Sequence, residues 1–296
     1  MRKLVTALAV LAVLAAACAP EESATPSAAA DGSASGDECA VDQLNLFEPG
    51  TLTIGTGNPA YLPWYGGESV AGSDWESGDF TGDPHSGKGY ESAFAYALAE
   101  EMGFAESDVH WVAIRFVESF APGPKDFDFA MQQISISDKR AEAVDFSEGY
   151  FDVNQALIAN EGSPAIGVTT LAGLKDLNLG APIGTTSLQA IEEQVQPTQE
   201  ASVYPDLDTA LKDLKNGQVD GVVVDFPTAF YGYADEVVGQ FPNLGGEQEQ
   251  FGLALEKDNP LVSCVNQAIQ AMKADGTLEQ LQTEWLETDT DVPVFS

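Results

Sequence analysis

Positive charge is what this sequence most lacks: 12 Lys and Arg stand against 47 Asp and Glu in 296 residues, a formal net charge of −35. So acidic a surface repels phosphate backbones and anionic headgroups, which excludes nucleic-acid binding. Three cysteines are too few for a disulfide scaffold and two histidines too few for a histidine-built metal site, and we expect no cofactor. The hydrophobic fraction of 44% is nevertheless that of a folded globular protein.

Residues 1–17 have the pattern of an export signal, a basic start followed by an apolar run too short to span a bilayer. Cys18 follows three alanines, which resembles the lipobox of bacterial lipoproteins, where the cysteine becomes the acylated first residue. An ordinary signal peptide with an incidental cysteine is the alternative. Residues 18–49 are predicted to form a flexible tether and N-terminal anchor. We therefore expect an exported chain held by a lipid on the outer face of the bacterial membrane.

Two further cysteines, Cys39 and Cys264, remain in the exported chain. An even pair in an oxidising compartment favours a disulfide, which would fasten the start of the folded body to its last helices. Two unpaired, buried thiols are the alternative.

The body alternates short β-rich runs with stretches of helical period, which predicts an α/β fold with parallel sheets and crossover helices. Thr51 to Thr56 and Val219 to Asp225 are typical of strands, and Tyr90 to Met102 is typical of a helix. Residues 66–89 carry many glycines and no apolar periodicity, which indicates a long loop, either functional or a plain surface insertion. The C-terminal part is predicted to be helical.

Three polar features at strand or turn ends point to recognition of an amino acid. Arg140 is one of few arginines, and its guanidinium suits a carboxylate; the alternative is a solvated turn residue. Thr185 and Thr186 stand where a strand turns into a helix, where they offer donors to a carboxylate or phosphate or act as plain N-caps. Asp225 ends an apolar strand, where it can receive an ammonium group or cap the next helix. Three aromatic residues are candidate apolar walls, or core: Tyr61, Trp64 and Phe116.

The sequence resembles the polar-amino-acid-binding family (family 3) of type II extracytoplasmic solute-binding proteins of ABC importers. The resemblance is carried by residues 52–64, 134–147, 183–187, 217–225 and 251–257 and closes with residues 276–286. Its highly specific part runs from Ser137 to Ser147. It implies a two-lobed periplasmic-binding-protein-like fold with two crossings between the lobes. Lobe 1 would comprise residues 50–150 and 250–296, and lobe 2 residues 151–249.

The resemblance also implies roles for individual residues. Arg140 would hold the ligand α-carboxylate with help from Ser135 and Thr186, Asp225 would take the α-amino group, and Tyr61 and Phe116 would pack on the side chain. The family commonly has Asp at the position of Gly57. It commonly has Ser or Thr at the position of Gln133, whose amide would add a donor for the ligand or narrow the pocket. Residues 120–129 also depart from the family pattern. The missing Asp weakens the case for a cationic ligand, and we expect a neutral or polar one.

The expected function is therefore capture of an amino acid by a monomer that closes on it and passes it to ABC permease subunits. Two other functions remain open at this point. One is an exported enzyme of the same fold, similar to a cyclohexadienyl dehydratase, although neither histidine stands at a matched ligand position and we expect no enzyme. The other is a ligand sensor for a membrane receptor.

Overall fold

The computed structural model describes residues 38–75, 77–233, 237–286 and 291–296. The predicted signal segment, the acylated Cys18 and most of the tether lie outside these ranges. The described part of the predicted tether, residues 38–49, forms a short 3-10 turn at Val41–Gln43 and packs on lobe 1. Its apolar side chains explain the difference, because Val41, Leu44 and Leu46 contact the core.

The chain folds into fourteen strands and eight α-helices over the described ranges. The strands are β1 Leu52–Thr56, β2 Ala60–Tyr61, β3 Thr81–Gly82, β4 Val109–Ala113, β5 Phe129–Ala130, β6 Val144–Phe146, β7 Phe151–Val153, β8 Gln155–Ile158, β9 Leu179–Pro182, β10 Ser202–Tyr204, β11 Gly221–Asp225, β12 Val237–Gln240, β13 Glu249–Phe251 and β14 Ala254–Glu256. The helices are α1 Tyr90–Glu101, α2 Phe116–Ser119, α3 Asp138–Ala141, α4 Thr186–Ala190, α5 Leu207–Lys215, α6 Phe226–Tyr233, α7 Leu261–Ala274 and α8 Thr277–Leu286. Among the described helices, none combines the length and the apolarity needed to cross a membrane.

Lobe 1 is built on a five-stranded sheet in the order β4-β1-β5-β14-β6. Helices α1, α7 and α8 pack together around its main core. Helix α7 is there because its buried residues recur at helical spacing and form one apolar stripe: Leu261, Cys264, Val265, Ala268, Ile269 and Met272. The predicted disulfide is present, and it joins Cys39 to Cys264 on this helix.

Lobe 2 has a second five-stranded sheet, in the order β10-β9-β11-β8-β12. Apolar residues on the two faces of this sheet belong to separate clusters, since Val223 packs in one and both Val222 and Val224 in the other. Burial on both faces accounts for the continuous apolar run of β11.

Both sheets are mixed, whereas the sequence predicted parallel sheets. In lobe 1, β14 runs antiparallel to β5 and β6, and in lobe 2, β8 runs antiparallel to β11 and β12. These two strands follow β13 and β7 directly, and β7 and β13 pair with each other antiparallel between the lobes. The chain thus enters each sheet straight from a crossing strand, without a crossover helix to impose the parallel direction.

The last described residues correct the predicted boundary of lobe 1. Residues 291–296 lie on lobe 2, where Val294 bridges Gln240 and the backbone N–H of Leu171 donates to the Ser296 carbonyl. Phe295 is buried against Phe241, and its apolar ring explains why the segment leaves the helical part of lobe 1.

Over its described residues the glycine-rich stretch 66–89 is mostly loop, as predicted, but it contains the short strand β3 and a 3-10 turn at Pro84–Ser86 and packs on lobe 1. Trp75 is buried and its indole N–H donates to the carbonyl of Gly57 at 2.7 Å. The buried carboxylate of Asp83 accepts hydrogen bonds from the backbone N–H groups of Val70 and His85. Close packing explains the glycines, because a Cβ at Gly82 would lie 2.4 Å from backbone atoms of Gly66.

Candidate functional site

A cleft of about 660 Å³ lies between the two lobes. The carboxyl ends of β1, β4 and β11 and the N-termini of α4 and α5 face it. Of the nine residues predicted to bind a ligand, six line the cleft: Tyr61, Phe116, Gln133, Thr185, Thr186 and Asp225.

Arg140 lies behind this wall and is 8% exposed. Its Nη1 donates to the Ser135 carbonyl at 2.7 Å and its Nη2 to the Gly184 carbonyl of the other lobe at 2.9 Å. The rings of Phe116 and Phe120 flank the guanidinium, with centroids 5.4 and 4.4 Å from Cζ. Within the described ranges no carboxylate comes within 4.0 Å of it. Arg140 is therefore a buried cation without an ion-pair partner among the described residues. Burial lowers the pKa of its guanidinium to about 10.

The two threonines at the start of α4 have different surroundings. The Thr185 hydroxyl donates to the Pro182 carbonyl and accepts from the Leu188 N–H at 3.1 Å, so it caps the helix. The Thr186 hydroxyl lies 3.3 Å from the Ser135 hydroxyl of lobe 1. Thr186 is therefore the better placed of the two to reach a ligand.

Asp225 ends β11 at the floor of the cleft. Its Oδ1 accepts a hydrogen bond from Gln155 Nε2 at 2.8 Å. Burial and the nearby carboxylate of Glu249 raise the pKa of Asp225 to about 8, although the Arg140 charge acts in the opposite direction. A carboxylate in these surroundings gains from the arrival of a cation.

Two residues that the sequence analysis missed connect these groups. Glu249 on β13 accepts a hydrogen bond from the Ser135 hydroxyl at 2.6 Å. Gln155 Nε2 lies 3.3 Å from both carboxylate oxygens of Glu249 and 3.3 Å from the Thr186 hydroxyl. A polar residue heading the apolar strand β8 was a signal for Gln155, but nothing in the sequence distinguishes Glu249 from the other acids. A serine hydroxyl has one proton to donate, and Ser135 donates it to Glu249.

Gln133 lies on the cleft wall in a left-handed backbone conformation, with φ of 50°. The buried carboxylate of Glu91 holds it there: the Gln133 backbone N–H donates to Oε1 at 2.8 Å, and its side-chain amide donates to Oε2. The Tyr150 hydroxyl donates to the same carboxylate at 2.5 Å. Burial raises the pKa of Glu91. The amide that the sequence analysis offered to a ligand is thus engaged by Glu91.

Trp64 does not line the cleft, and its predicted role as an apolar wall is not supported. The residue is fully buried in lobe 1, where its ring packs edge-on against Tyr90, Phe151 and Phe251. Its indole N–H donates to the hydroxyl of Thr228, a cleft residue of lobe 2, at 2.8 Å. Aromatic neighbours on both crossing strands explain why the ring turns inward.

The side-chain end of the cleft combines apolar and amide surfaces with two acids. Tyr61 lies beside the carboxylate of Asp208 across the cleft, and burial together with that charge raises the pKa of its hydroxyl. The Gln132 amide fills the space next to Gly57, where a Cβ would lie 2.4 Å from Nε2. An aspartate, which the family commonly has at this position, would need Gln132 to move.

Comparison with known proteins gives a consistent picture. The model of the family described as bacterial extracellular solute-binding proteins, family 3, matches residues 72–288. The L-cystine-binding protein TcyJ of Escherichia coli (strain K12) is 32% identical over 71% of this chain and 78% of its own length. The ABC transporter glutamine-binding protein GlnH of Bacillus subtilis (strain 168) is 32% identical over 55% of this chain and 59% of its own.

Solved structures show the same likeness. An ancestral arginine-binding protein bound to arginine is similar to this chain with a TM-score of 0.63 and 26% identity, over 80% of this chain and 99% of that one. This likeness supports the two-lobed type II fold. All three of these proteins are named as binding proteins, in agreement with the expectation that the chain is not an enzyme.

Proposed function

The chain belongs to the bacterial extracellular solute-binding proteins of family 3, and we propose from this premise that it captures a free amino acid between its lobes and delivers it to the permease of an ABC importer. The observation that carries the proposal is Arg140. A buried guanidinium without a carboxylate partner is costly unless an anion completes it, and its planar donors fit a carboxylate.

A second group, the acid Asp225, stands at the cleft floor and becomes negative when it ionises. Asp225 shares the Gln155 amide with Glu249, so two carboxylates face the same region. A ligand that carries a carboxylate toward Arg140 and Thr186 and an ammonium group toward Asp225 would satisfy both ends. A carboxylate and an ammonium group attached to the same carbon form the backbone of a free α-amino acid.

We further propose that the ligand side chain is neutral or polar. The lobe 1 wall offers Tyr61, Phe116 and the Gln132 amide, and Gln132 occupies the space where an acid for a cationic group would stand. On lobe 2, Asp206 accepts the Thr209 N–H as the cap of α5, and Asp208 lies beside Tyr61. The relatives TcyJ and GlnH are named for cystine and glutamine, both without net side-chain charge.

The test is ligand binding by protein that has been unfolded and refolded to remove carried-over ligand. The twenty amino acids and L-cystine are screened by thermal shift, and the hits by calorimetry. Ligand at 100 times its Kd stabilises the native state by about 2.7 kcal/mol, which raises the unfolding midpoint measurably. We expect Arg140→Met to abolish the shift. Lys139→Met, the loss of the neighbouring exposed cation on the same helix, should leave it intact.

The screen can contradict the proposal in two ways. If no amino acid raises the midpoint, the assignment of an amino-acid ligand is wrong. If arginine or lysine binds most tightly, capture stands but the neutral side chain is wrong, and Asp206 and Asp208 become the acceptors to replace.

We also propose that the protein acts as a monomer anchored through an acyl-modified Cys18. The support is the lipobox-like sequence and the extracytoplasmic location of the family. Labelling of cells with an alkyne fatty acid should mark the wild-type protein and not Cys18→Ser, and the variant should appear in the medium. Equal labelling of both would contradict the anchor.

A further inference from the structure

We propose that the hydrogen bond between Trp64 and Thr228 is a latch that holds the two lobes together, so that these residues set how long a ligand stays in the cleft. The inference rests on the proposed function for the ligand, but the latch itself is a property of the lobes. Trp64 is a positioning residue, since it does not line the cleft.

The indole donor is fixed rigidly in lobe 1. The ring is fully buried and its centroid lies 5.4 Å from that of Phe151 and 5.3 Å from that of Phe251, one on each crossing strand. The Trp64 carbonyl accepts hydrogen bonds from the backbone N–H groups of Glu91 and Ser92 in the first turn of α1. The indole therefore has little freedom to follow lobe 2 if the lobes separate.

The acceptor belongs to lobe 2. Thr228 lies in the first turn of α6, three residues after Asp225, and is 9% exposed. Its Oγ1 lies 2.8 Å from Trp64 Nε1, and the two residues are 164 positions apart in the sequence. An indole N–H can only donate, so within the described residues Thr228 supplies the partner that this buried group requires.

This bond differs from three other described contacts between the lobes. Arg140 to Gly184, Ser135 to Thr186 and Tyr61 to Asp208 all involve side chains expected to bind the ligand. Trp64 instead packs against the crossing strands and does not line the cleft. The bond forms in the joined arrangement alone. Water replaces it when the lobes separate, but an intramolecular hydrogen bond keeps a modest net stabilising effect, so the bond favours the joined arrangement.

The size of the effect follows from the hydrogen bond. Loss of the hydroxyl leaves a buried indole N–H unpaired in the joined arrangement alone. We expect Thr228→Val to shift the ratio of joined to separated lobes by roughly 5- to 15-fold toward separation and to speed ligand dissociation by a similar factor. Thr228→Ser keeps the hydroxyl and should restore the wild-type values.

The experiment measures the lobes directly and then the ligand. Spin labels on cysteines introduced at exposed Glu100 of α1 and exposed Lys212 of α5 report the distance between the lobes without ligand. Dissociation of L-glutamine and L-cystine is followed by stopped-flow fluorescence. Trp64→Phe removes the donor from the other side, and the double variant with Thr228→Val should be no worse than either single variant, because both remove one bond.

Trp111→Phe is the matched control. It removes an indole N–H whose acceptor, the Tyr96 hydroxyl, lies in the same lobe, and it should leave lobe separation and dissociation unchanged. The latch is wrong if Thr228→Val leaves both the distance distribution and the dissociation rates within twofold of wild type, or if Thr228→Ser is as impaired as Thr228→Val. It is also wrong if the effects of Thr228→Val and Trp64→Phe add in the double variant. Because the distance measurement needs no ligand, failure of the latch is distinguishable from failure of amino-acid binding.

Discussion

Ligand binding should release a proton from Asp225. Burial and the carboxylate of Glu249 raise the pKa of Asp225 to about 8 in the ligand-free protein. At pH 7 about nine-tenths of the molecules then carry the protonated acid. An arriving ammonium group favours the carboxylate, so the proton must leave as the amino acid binds.

The magnitude follows from linkage. If only the ionised Asp225 binds the ammonium group, the apparent Kd rises about tenfold for each pH unit below pH 8. Affinity therefore increases with pH between about pH 6 and pH 8 and levels off above that range, until the ligand itself loses its proton. At pH 7 about 0.9 proton should be released per ligand bound.

Calorimetry in buffers of different ionisation enthalpy measures this number directly. Asp225→Asn keeps the acceptor oxygen for Gln155 and should abolish both the proton release and the pH dependence while weakening binding. Glu249→Gln removes the neighbouring charge, which lowers the pKa of Asp225, and should reduce the release. A Kd that stays flat from about pH 6 to pH 8, with no proton released, would show that Asp225 is already ionised and refute the reasoning.

Two further predictions concern stability. The disulfide between Cys39 and Cys264 joins residues 225 apart, so Cys39→Ser with Cys264→Ser should lower the free energy of unfolding by up to about 5 kcal/mol in denaturant titrations. An unchanged free energy of unfolding would mean that the disulfide adds no stability. Phe295→Ala should destabilise lobe 2 by about 3 to 5 kcal/mol, because the ring is buried against Phe241, and faster hydrogen exchange confined to lobe 2 should show it; unchanged exchange there would contradict the packing.

Local order along the chain was largely predictable. Residues 51–56 and 219–225 were predicted as strands and form β1 and β11, and the helix predicted over 90–102 is α1. These segments have strong apolar periodicity or complete burial, which a sequence shows directly. The pairing of the two cysteines followed from their even number in an exported chain, and the disulfide is present.

Features set by tertiary contacts were not predictable. Strand direction in β8 and β14 depends on their continuity with the crossing strands, which no local pattern encodes. Trp64 is an aromatic residue of the kind that lines a ligand cleft, but its ring packs inward against Phe151 and Phe251. Glu249 is one of 47 acids in the sequence, and only its distance from Ser135 and Gln155 makes it part of the site.

The charges that prepare the cleft for a ligand also weaken the empty protein. Asp225 has its pKa raised above the unfolded value, so the folded state binds more protons and stability falls as pH rises from about 4 to about 8. At pH 7 this amounts to at most about 4 kcal/mol. Asp225→Asn should therefore stabilise the ligand-free chain near neutral pH although it weakens binding. Because the ligand ammonium removes the same penalty, the rise in unfolding midpoint on binding should be smaller for the variant than for the wild type.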